Sequence, residues 1–199
     1  MGLVNLKQDQ IDKIQIDEGI VVKNFGESDQ SIIGPTRGGA ELTVTPSVRD
    51  IEYDGRKGST KGMQVKDGEE AVLKITALCC SQEMLALALP GAKVGSDEGK
   101  TITPSEFGLI PASAYLKNVA IVTKMLDNTF KILKISNPLH QGAFGFKTAS
   151  KSENEHNLEF TAHYDAIDDT VKLYEILESK SNPITTSSSA TTQSTTQEN

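Results

Sequence analysis

Along most of the chain, apolar and polar positions alternate with period two. The clearest stretch sets Leu158, Phe160, Ala162 and Tyr164 against Glu159, Thr161, His163 and Asp165. In a strand this puts the apolar groups on one face and the polar groups on the other. Ala71, Leu73, Ile75, Ala77 and Cys79 repeat the pattern, with Glu70, Lys74 and Thr76 opposite. Residues 115–126 form a β-branched stretch, and Asp127-Asn128 then separates it from TFKILKIS over 129–136. That arrangement predicts a hairpin on a two-residue turn. Further strands are expected at 19–24, 40–45, 48–53 and 170–176, with Pro46 marking an edge strand or a bulge.

One segment departs from this period. SQEMLALALPG, residues 81–91, has a polar N-cap in Ser81, good helix formers after it and a Pro-Gly stop. It predicts the main helix, over 81–89, whose Met84, Leu85, Leu87, Ala88 and Leu89 lie against a sheet. A second helical turn is expected at 103–106, where Thr103 and Glu106 have capping-box spacing and Pro104 occupies the first helical position. Many strands, one helix and no βαβ alternation predict a mainly β fold. Its form is two packed antiparallel sheets, a sandwich or open barrel, flanked by one α-helix.

Two polar stretches exceed ordinary turns. Residues 54–68 (DGRKGSTKGMQVKDG) carry Arg56, Lys57, Lys61 and Lys66 together with four glycines. Loops beyond ~12 residues inside compact domains are usually functional or disordered. The leading arm, residues 1–18, spaces Leu3, Leu6, Ile11, Ile14 and Ile16 so loosely that a helix and an extended arm on a neighbour both fit. The far end, 179–199, is rich in Ser, Thr, Gln and Asn and predicts a disordered tail. One domain over 19–178 remains, long enough to bury roughly 70% of its unfolded surface.

Composition narrows the classes. No apolar run approaches the ~20 residues of a membrane span, and the first residues lack the order of a secretory signal, so a soluble, cytosol-made chain without a membrane partner is expected. Adjacent Cys79 and Cys80 cannot cross-link distant segments. The formal charge is -7, from 20 Lys and Arg against 27 Asp and Glu. Residues 151–178 hold eight acids and two lysines, and so carry six of those seven charges. Such a surface offers no counterion-release affinity for phosphates.

Catalytic and cofactor patterns are weak. Gly95-Ser96-Asp97-Glu98-Gly99-Lys100-Thr101 has three spacer residues where a phosphate cradle needs four, two of them acids, and Pro104 opposes the helix such a loop feeds. His140, His156 and His163 are scattered, and His163 falls on the polar side of its strand, where a solvated imidazole is expected. Asp165, Asp168 and Asp169 lack the glycine and glutamate positions of a calcium loop and predict a turn held by Asp side chains. Cys79 and Cys80 have no histidine nearby in sequence to serve as base. No enzyme, cofactor or metal centre is expected.

The order of segments is more specific. GPTRGG at 34–39 leads into AELTVTP, and VRDIEYDGRKG follows at 48–58. A strand then runs into the Leu-rich helix closed by LPGA at 89–92, followed by YLKNVAIV at 115–122, FTAHYD at 160–165 and a last strand ending YEI at 174–176. This succession resembles the major tail tube proteins of tailed bacteriophages over roughly residues 19–177. The resemblance implies a structural virion protein, assembled in host cytoplasm, that forms hexameric rings stacking into a tube. Tape measure, terminator and baseplate hub are the implied partners, and DNA passes the lumen without specific binding. It also implies that the loop at 54–68 reaches a neighbour, with Arg56, Lys57, Lys61 and Lys66 as the expected inter-subunit contacts. The alternatives are another tail component of similar fold, such as a terminator or baseplate hub, and a monomeric β-sandwich binding module. The second fits poorly with 5% aromatics and no Trp.

Overall fold

The computed structural model describes residues 7–55, 58–78, 81–96, 101–148, 150–151 and 153–184. Cys79 and Cys80 lie outside them. The elements in chain order are α1 (Gln8–Asp12), β1 (Ile20–Lys23), β2 (Ser31–Ile32), β3 (Thr36–Asp50), β4 (Gln64–Ala77), α2 (Gln82–Leu87), β5 (Lys93–Val94), β6 (Ile102–Thr103), a 3-10 turn (Ala112–Ala114), β7 (Asn118–Lys124), β8 (Phe130–Ser136), β9 (Leu139–His140), β10 (His156–Thr161) and β11 (Tyr174–Ser179).

These strands build two main antiparallel sheets, in the orders β11-β8-β7-β1-β2 and β3-β4-β10-β9, with β5 and β6 forming a small hairpin apart. The fold is mainly β, a sandwich with a flanking helix. Between the sheets, Ala71, Leu73, Ile75 and Ala77 of β4 and Leu158 and Phe160 of β10 meet Val21, Val119, Ile121 and Ile135 of the five-stranded sheet. Alternation on β4 and β10 thus does what the sequence predicts, since each inward side chain enters one core.

The central strand of the five-stranded sheet, β7, is buried on both faces. Val22, Ala120, Val122 and Ile132 form a second cluster behind it, covered by Phe25, Phe130 and Ile184. That explains why β7 reads as a continuous β-branched run: Val119 and Ile121 face one core, Ala120 and Val122 the other. The β1 end of this sheet is tied by a reciprocal amide network. Phe25 N–H donates to Asn118 Oδ1 at 2.7 Å, Lys117 N–H to Asn24 Oδ1 at 3.1 Å, and Asn118 Nδ2 to the Phe25 carbonyl at 3.1 Å. Asn24 and Asn118 are buried, and these bonds satisfy amides that are costly to leave unpaired.

Several expectations are corrected. The β7–β8 hairpin closes on three residues rather than two: Met125 N–H donates to the Thr129 carbonyl at 2.9 Å, Asn128 N–H to the Met125 carbonyl at 3.0 Å, and Asn128 takes φ 64°. This is a turn followed by a left-handed residue, which Asn tolerates. The strands expected at 40–45 and 48–53 are one strand, β3, running through Pro46. A missing N–H is tolerated because β3 is an edge strand, and the register slips by a bulge at Ser47/Val48 immediately after the proline. An earlier slip, between Thr36 and Ala40, holds Gly38 and Gly39 at φ 75° and 79°, which accounts for the paired glycines of GPTRGG.

The helix turn expected at 103–106 is absent. Thr103 pairs with Lys93 in the β5–β6 hairpin, and Ser105 Oγ donates to the Pro90 carbonyl at 3.3 Å, so strand pairing and a turn contact override local capping chemistry. The main helix forms where expected, with Ser81 Oγ accepting from Met84 N–H at 3.3 Å, and its last helical residue is Leu87. The strand expected over 158–164 ends at Thr161, so Tyr164 is 61% exposed rather than inward. His163 is half-buried rather than solvated: it lies 5.1 Å from Tyr115, edge to face, and Nδ1 is 3.1 Å from the Asn137 carbonyl. The last strand begins at Tyr174, four residues later than expected from 170–176, and runs to Ser179.

The two aromatics of the FTAHYD segment should therefore differ in energetic weight. Phe160 faces Leu73 across β4 and is fully buried. Phe160→Ala is expected to lower unfolding free energy by about 3–5 kcal/mol, and Tyr164→Ala by about 0.5 kcal/mol or less. Urea denaturation of the two variants checks this, and equal losses would refute the assignment of inward and outward faces.

Candidate assembly surface

Strand β4 does two jobs. Its later half, Val72 to Ala77, is paired on both sides, with β3 and with β10. Its earlier half pairs with β3 alone, from Thr45↔Glu70 out to Asp50↔Gln64. The β3–β4 hairpin therefore leaves the sandwich as a two-stranded ribbon roughly 20 Å long before its tip is counted. Its β3 side is exposed from Thr45 through Asp50. The loop expected over 54–68 is shorter than predicted, because residues 64–68 belong to β4 and Ile51 N–H already donates to the Met63 carbonyl at 2.8 Å.

An isolated two-stranded ribbon is at best marginally stable in water. Local pairs support this one. Arg49 binds Asp67 through Nε at 2.9 Å and Nη2 at 3.3 Å, Lys66 pairs with Glu69, and Ser59 Oγ donates to Asp50 at 2.9 Å. The hydrogen bond to Glu69 is the main reason the Lys66 ammonium titrates above its ordinary value. The ribbon and tip still expose Val48, Ile51 and Tyr53. β-branched and aromatic side chains on a thin, half-supported ribbon are what a docking element presents.

Of the four cationic residues expected at contacts, Arg56 and Lys57 lie outside the described residues. Lys61 sits at the tip, between Gly58 and Gly62, both at positive φ, and makes no ion pair among the described residues. Lys66 belongs to the strand and is engaged by Glu69. Of the two that are described, Lys66 is engaged within the chain.

The acid-rich stretch is likewise partitioned. Glu153 and Glu155 pair with Arg37 at 3.0 and 2.7 Å, and Glu159 with Lys74 at 3.3 Å. Glu175 pairs with Lys134, and Glu178 with Lys13 and Lys131 at 2.6 and 3.0 Å. Five of the eight acids at 151–178 are thus spent inside the chain. The remaining three, Asp165, Asp168 and Asp169, lie on the turn predicted from Asp side chains. Asp165 accepts from Ile167 N–H at 2.8 Å and Asp168 from Thr170 N–H at 2.9 Å.

Lys13 resolves the leading arm. After α1, the chain runs extended beside its own β7–β8 hairpin, with Leu126 N–H donating to the Ile14 carbonyl at 2.9 Å and Gln15 bridging Met125. Lys13 reaches both Asp127, at 3.0 Å, and Glu178.

Other hollows are poor candidates for chemistry. One, of about 480 Å³, lies along the four-stranded sheet and is lined by Arg37, Lys74, Thr76 and Glu159 among others, with no aromatic ring. Arg37, Lys74 and Glu159 there are already paired. Gly95 N–H donates to the Thr101 carbonyl at 2.8 Å, closing the β5–β6 hairpin, so the Gly-rich segment joins two strands rather than feeding a helix, and residues 97–100 lie outside the described ones. His140 is buried and accepts from Glu159 N–H at 2.9 Å, with burial lowering its pKa. Among the described residues no three His, Cys, Asp or Glu side chains gather as a metal site. No described helix is long and apolar enough to cross a membrane.

Sequence reasoning missed one exposed segment. Between β6 and the 3-10 turn, Phe107 and Leu109 stand fully in solvent. Their signal was an apolar FGLI run that fits neither helical nor strand period and is bracketed by Pro104 and Pro111.

No protein-family profile and no curated protein sequence match this chain. Among solved structures it is similar to a chain from the virion of a native gene transfer agent particle, with 9% identity and a TM-score of 0.42, over 73% of this chain and 92% of that one.

The arm clamp has a defined pH signature. Asp127 is held at about 2, below its ordinary 3.8, by the Thr129 hydroxyl, then by the Thr129 N–H and by Lys13. A depressed carboxylate stabilises the fold above its unfolded value and loses that contribution as pH falls through the folded value. The difference in urea midpoint between the unaltered chain and Asp127→Ala should be constant above pH ~4 and close towards pH ~2. A difference that ignores pH would exclude the ionic clamp.

Proposed function

We propose that this chain is a structural subunit of a phage-type tail tube, in which six copies close into a ring and rings stack around a channel for DNA. The observation that carries the reading is the β3–β4 ribbon, a long element standing clear of its own core where the sequence resemblance puts the segment that reaches a neighbour. The ribbon's outer half pairs only β3 with β4, and Val48, Ile51 and Tyr53 on it and its tip are exposed. On this reading the cationic tip, with Arg56, Lys57 and Lys61, meets the acidic turn at 165–169 of an adjacent subunit, because the other acids of that region are already paired within the chain. Charge complementarity of this kind sets register and on-rate more than affinity. Lys66, engaged by Glu69, stiffens the ribbon instead of reaching across.

The acidic balance suits the same role. A wall that neutralised phosphates would gain affinity with every counterion released and would hold the duplex. An excess of seven negative charges lets DNA pass without binding. The proposed organisation is an arm at 1–18, the sandwich at 19–178 and the Ser/Thr-rich segment after it, in a virion assembled in host cytoplasm with tape measure, terminator and hub as partners.

Negative-stain microscopy of the concentrated protein tests this, with hollow tubes or six-membered rings as the expected outcome. The triple variant Arg56→Glu, Lys57→Glu, Lys61→Glu should keep its melting temperature within about 2 °C, as charge changes in a polar, glycine-rich segment usually do, and should stop polymerising. A unaltered chain that stays monomeric at every concentration would refute the tube, and tubes of ordinary length from the triple variant would refute the ribbon contact alone.

A further inference from the structure

Asp-Gly occurs twice in the sequence, at 54–55 and 67–68, and Asn-Gly nowhere. Both pairs belong to the β3–β4 ribbon and its tip, yet the fold treats them differently. An Asp followed by Gly can close on itself, because no β-carbon shields the next backbone nitrogen from the side-chain carboxyl. The Gly nitrogen bonds to Cγ of the Asp, the N–H hydrogen and the carboxyl OH leave as water, and a five-membered imide results. Water then opens the ring at either carbonyl. One opening restores aspartate. The other leaves isoaspartate, whose backbone runs through Cγ and is longer by a methylene. Solvent is the sole co-reactant, but the side chain must be able to swing over a nitrogen that no partner holds.

Asp54 and Gly55 meet both conditions. They form an exposed turn at the tip, beyond the bond from Ile51 N–H to the Met63 carbonyl. Gly55 takes φ 97°, and nothing lies within 4 Å of where a β-carbon would stand. Among the described residues neither the Asp54 carboxylate nor the Gly55 N–H has a hydrogen-bond partner. Asp67 meets neither condition. Arg49 grips its carboxylate through Nε at 2.9 Å and Nη2 at 3.3 Å. Asp67 is the extra residue of the bulge, but Lys66 and Gly68 on either side pair with Val48 and Ser47, which restrains the peptides that would have to turn. We propose that Asp54 is a site of spontaneous isoaspartate formation in the unassembled subunit, and that the fold protects Asp67 from the same reaction. The product carries a free α-carboxylate, the group that isoaspartyl O-methyltransferases esterify with the methyl of S-adenosylmethionine, so the aged chain becomes a substrate of that enzyme class. At the tip the added methylene lengthens the backbone directly before Arg56 and Lys57, and so alters the contact surface without touching the core. This consequence for assembly rests on the tube reading, whereas the chemistry at Asp54 does not.

Solvent isotope reads the reaction directly. The full chain is held as dilute subunit in H₂¹⁸O at physiological temperature and pH, digested, and sequenced by electron-transfer mass spectrometry, which separates isoaspartate from aspartate. Passage through the imide puts one solvent oxygen into either product. One ¹⁸O at position 54 is therefore expected, with isoaspartate there and a matching uptake of methyl groups from labelled S-adenosylmethionine. Because paired backbone must open locally before the ring can close, conversion at 54 should be roughly tenfold or more faster than at 67. In concentrated urea, where neither restraint on Asp67 survives, the two rates should converge. Absence of ¹⁸O at position 54, equal rates in the folded chain, or a difference that persists in urea each overturns the proposal, the last because it would trace the difference to neighbouring side chains and not to the fold. Assembly is read separately by negative-stain microscopy. Aged chain should give fewer tubes than fresh chain, and aged Asp54→Glu, which would have to close a larger and slower ring, should match its fresh form. Equal tube numbers from fresh and aged unaltered chain overturn the consequence for assembly; a fresh chain without tubes refutes the tube reading and leaves the isotope result to decide the site.

Discussion

The packing of β4 against β10 is the contact on which the other features depend. Leu73 faces Phe160 and Ile75 faces Leu158 in register, and all four are buried in the core between the sheets. Because β4 continues past this region into the ribbon, rigidity gained in the core is passed along one backbone to an element that has little core of its own. Pairing between β3 and β4 alone would leave a frayed hairpin. Anchored at its base by buried side chains, the ribbon presents its outer half in a defined direction, which lowers the ordering cost of any contact it makes.

The centre of the five-stranded sheet is closed on both faces. Val22, Ala120, Val122 and Ile132 are covered from behind by Phe25, Phe130 and Ile184. Exposed apolar groups remain on its outer strands, as Ile20, Ile32, Ile176 and Leu177, on the ribbon and its tip, as Val48, Ile51 and Tyr53, and on the short loop, as Phe107 and Leu109. Charge follows a similar economy. Most acids of the terminal region face lysines or arginines of neighbouring strands, where exposed pairs contribute little to stability individually but fix which strand lies beside which.

Strand identity was legible wherever side-chain period and burial coincide. Ala71, Leu73, Ile75 and Ala77 announce one buried face, and the structure buries each of them. Ser81 announces a helix start because its cap is a local bond. Local chemistry failed where a distant partner outbid it. Thr103 and Glu106 spell a capping box, but Thr103 is taken by Lys93. Pro46 marked an edge strand or a bulge, and it lies in an edge strand directly before one; because an edge strand absorbs a missing N–H, the two strands expected around it are one. The β4 side of the ribbon, residues 64–68, was read as loop because it carries glycine and charges in place of apolar alternation; a two-stranded element largely in solvent has little core to write a period into the sequence. The same reason hid the Phe107 loop, whose Phe107 and Leu109 side chains stand in solvent.

The order in which the chain emerges during synthesis gives the sheet arrangement a kinetic side. β1 pairs Ile20 with Val122 and Val21 with Ile121, so one of the earliest strands made waits for roughly a hundred further residues before its main partner exists. The β3–β4 hairpin, by contrast, closes through near neighbours and can form while the rest is still being translated. Until β7 arrives, β1 is a bare apolar edge beside a finished ribbon, and this interval, more than the completed fold, is where the chain is open to association with the wrong neighbour.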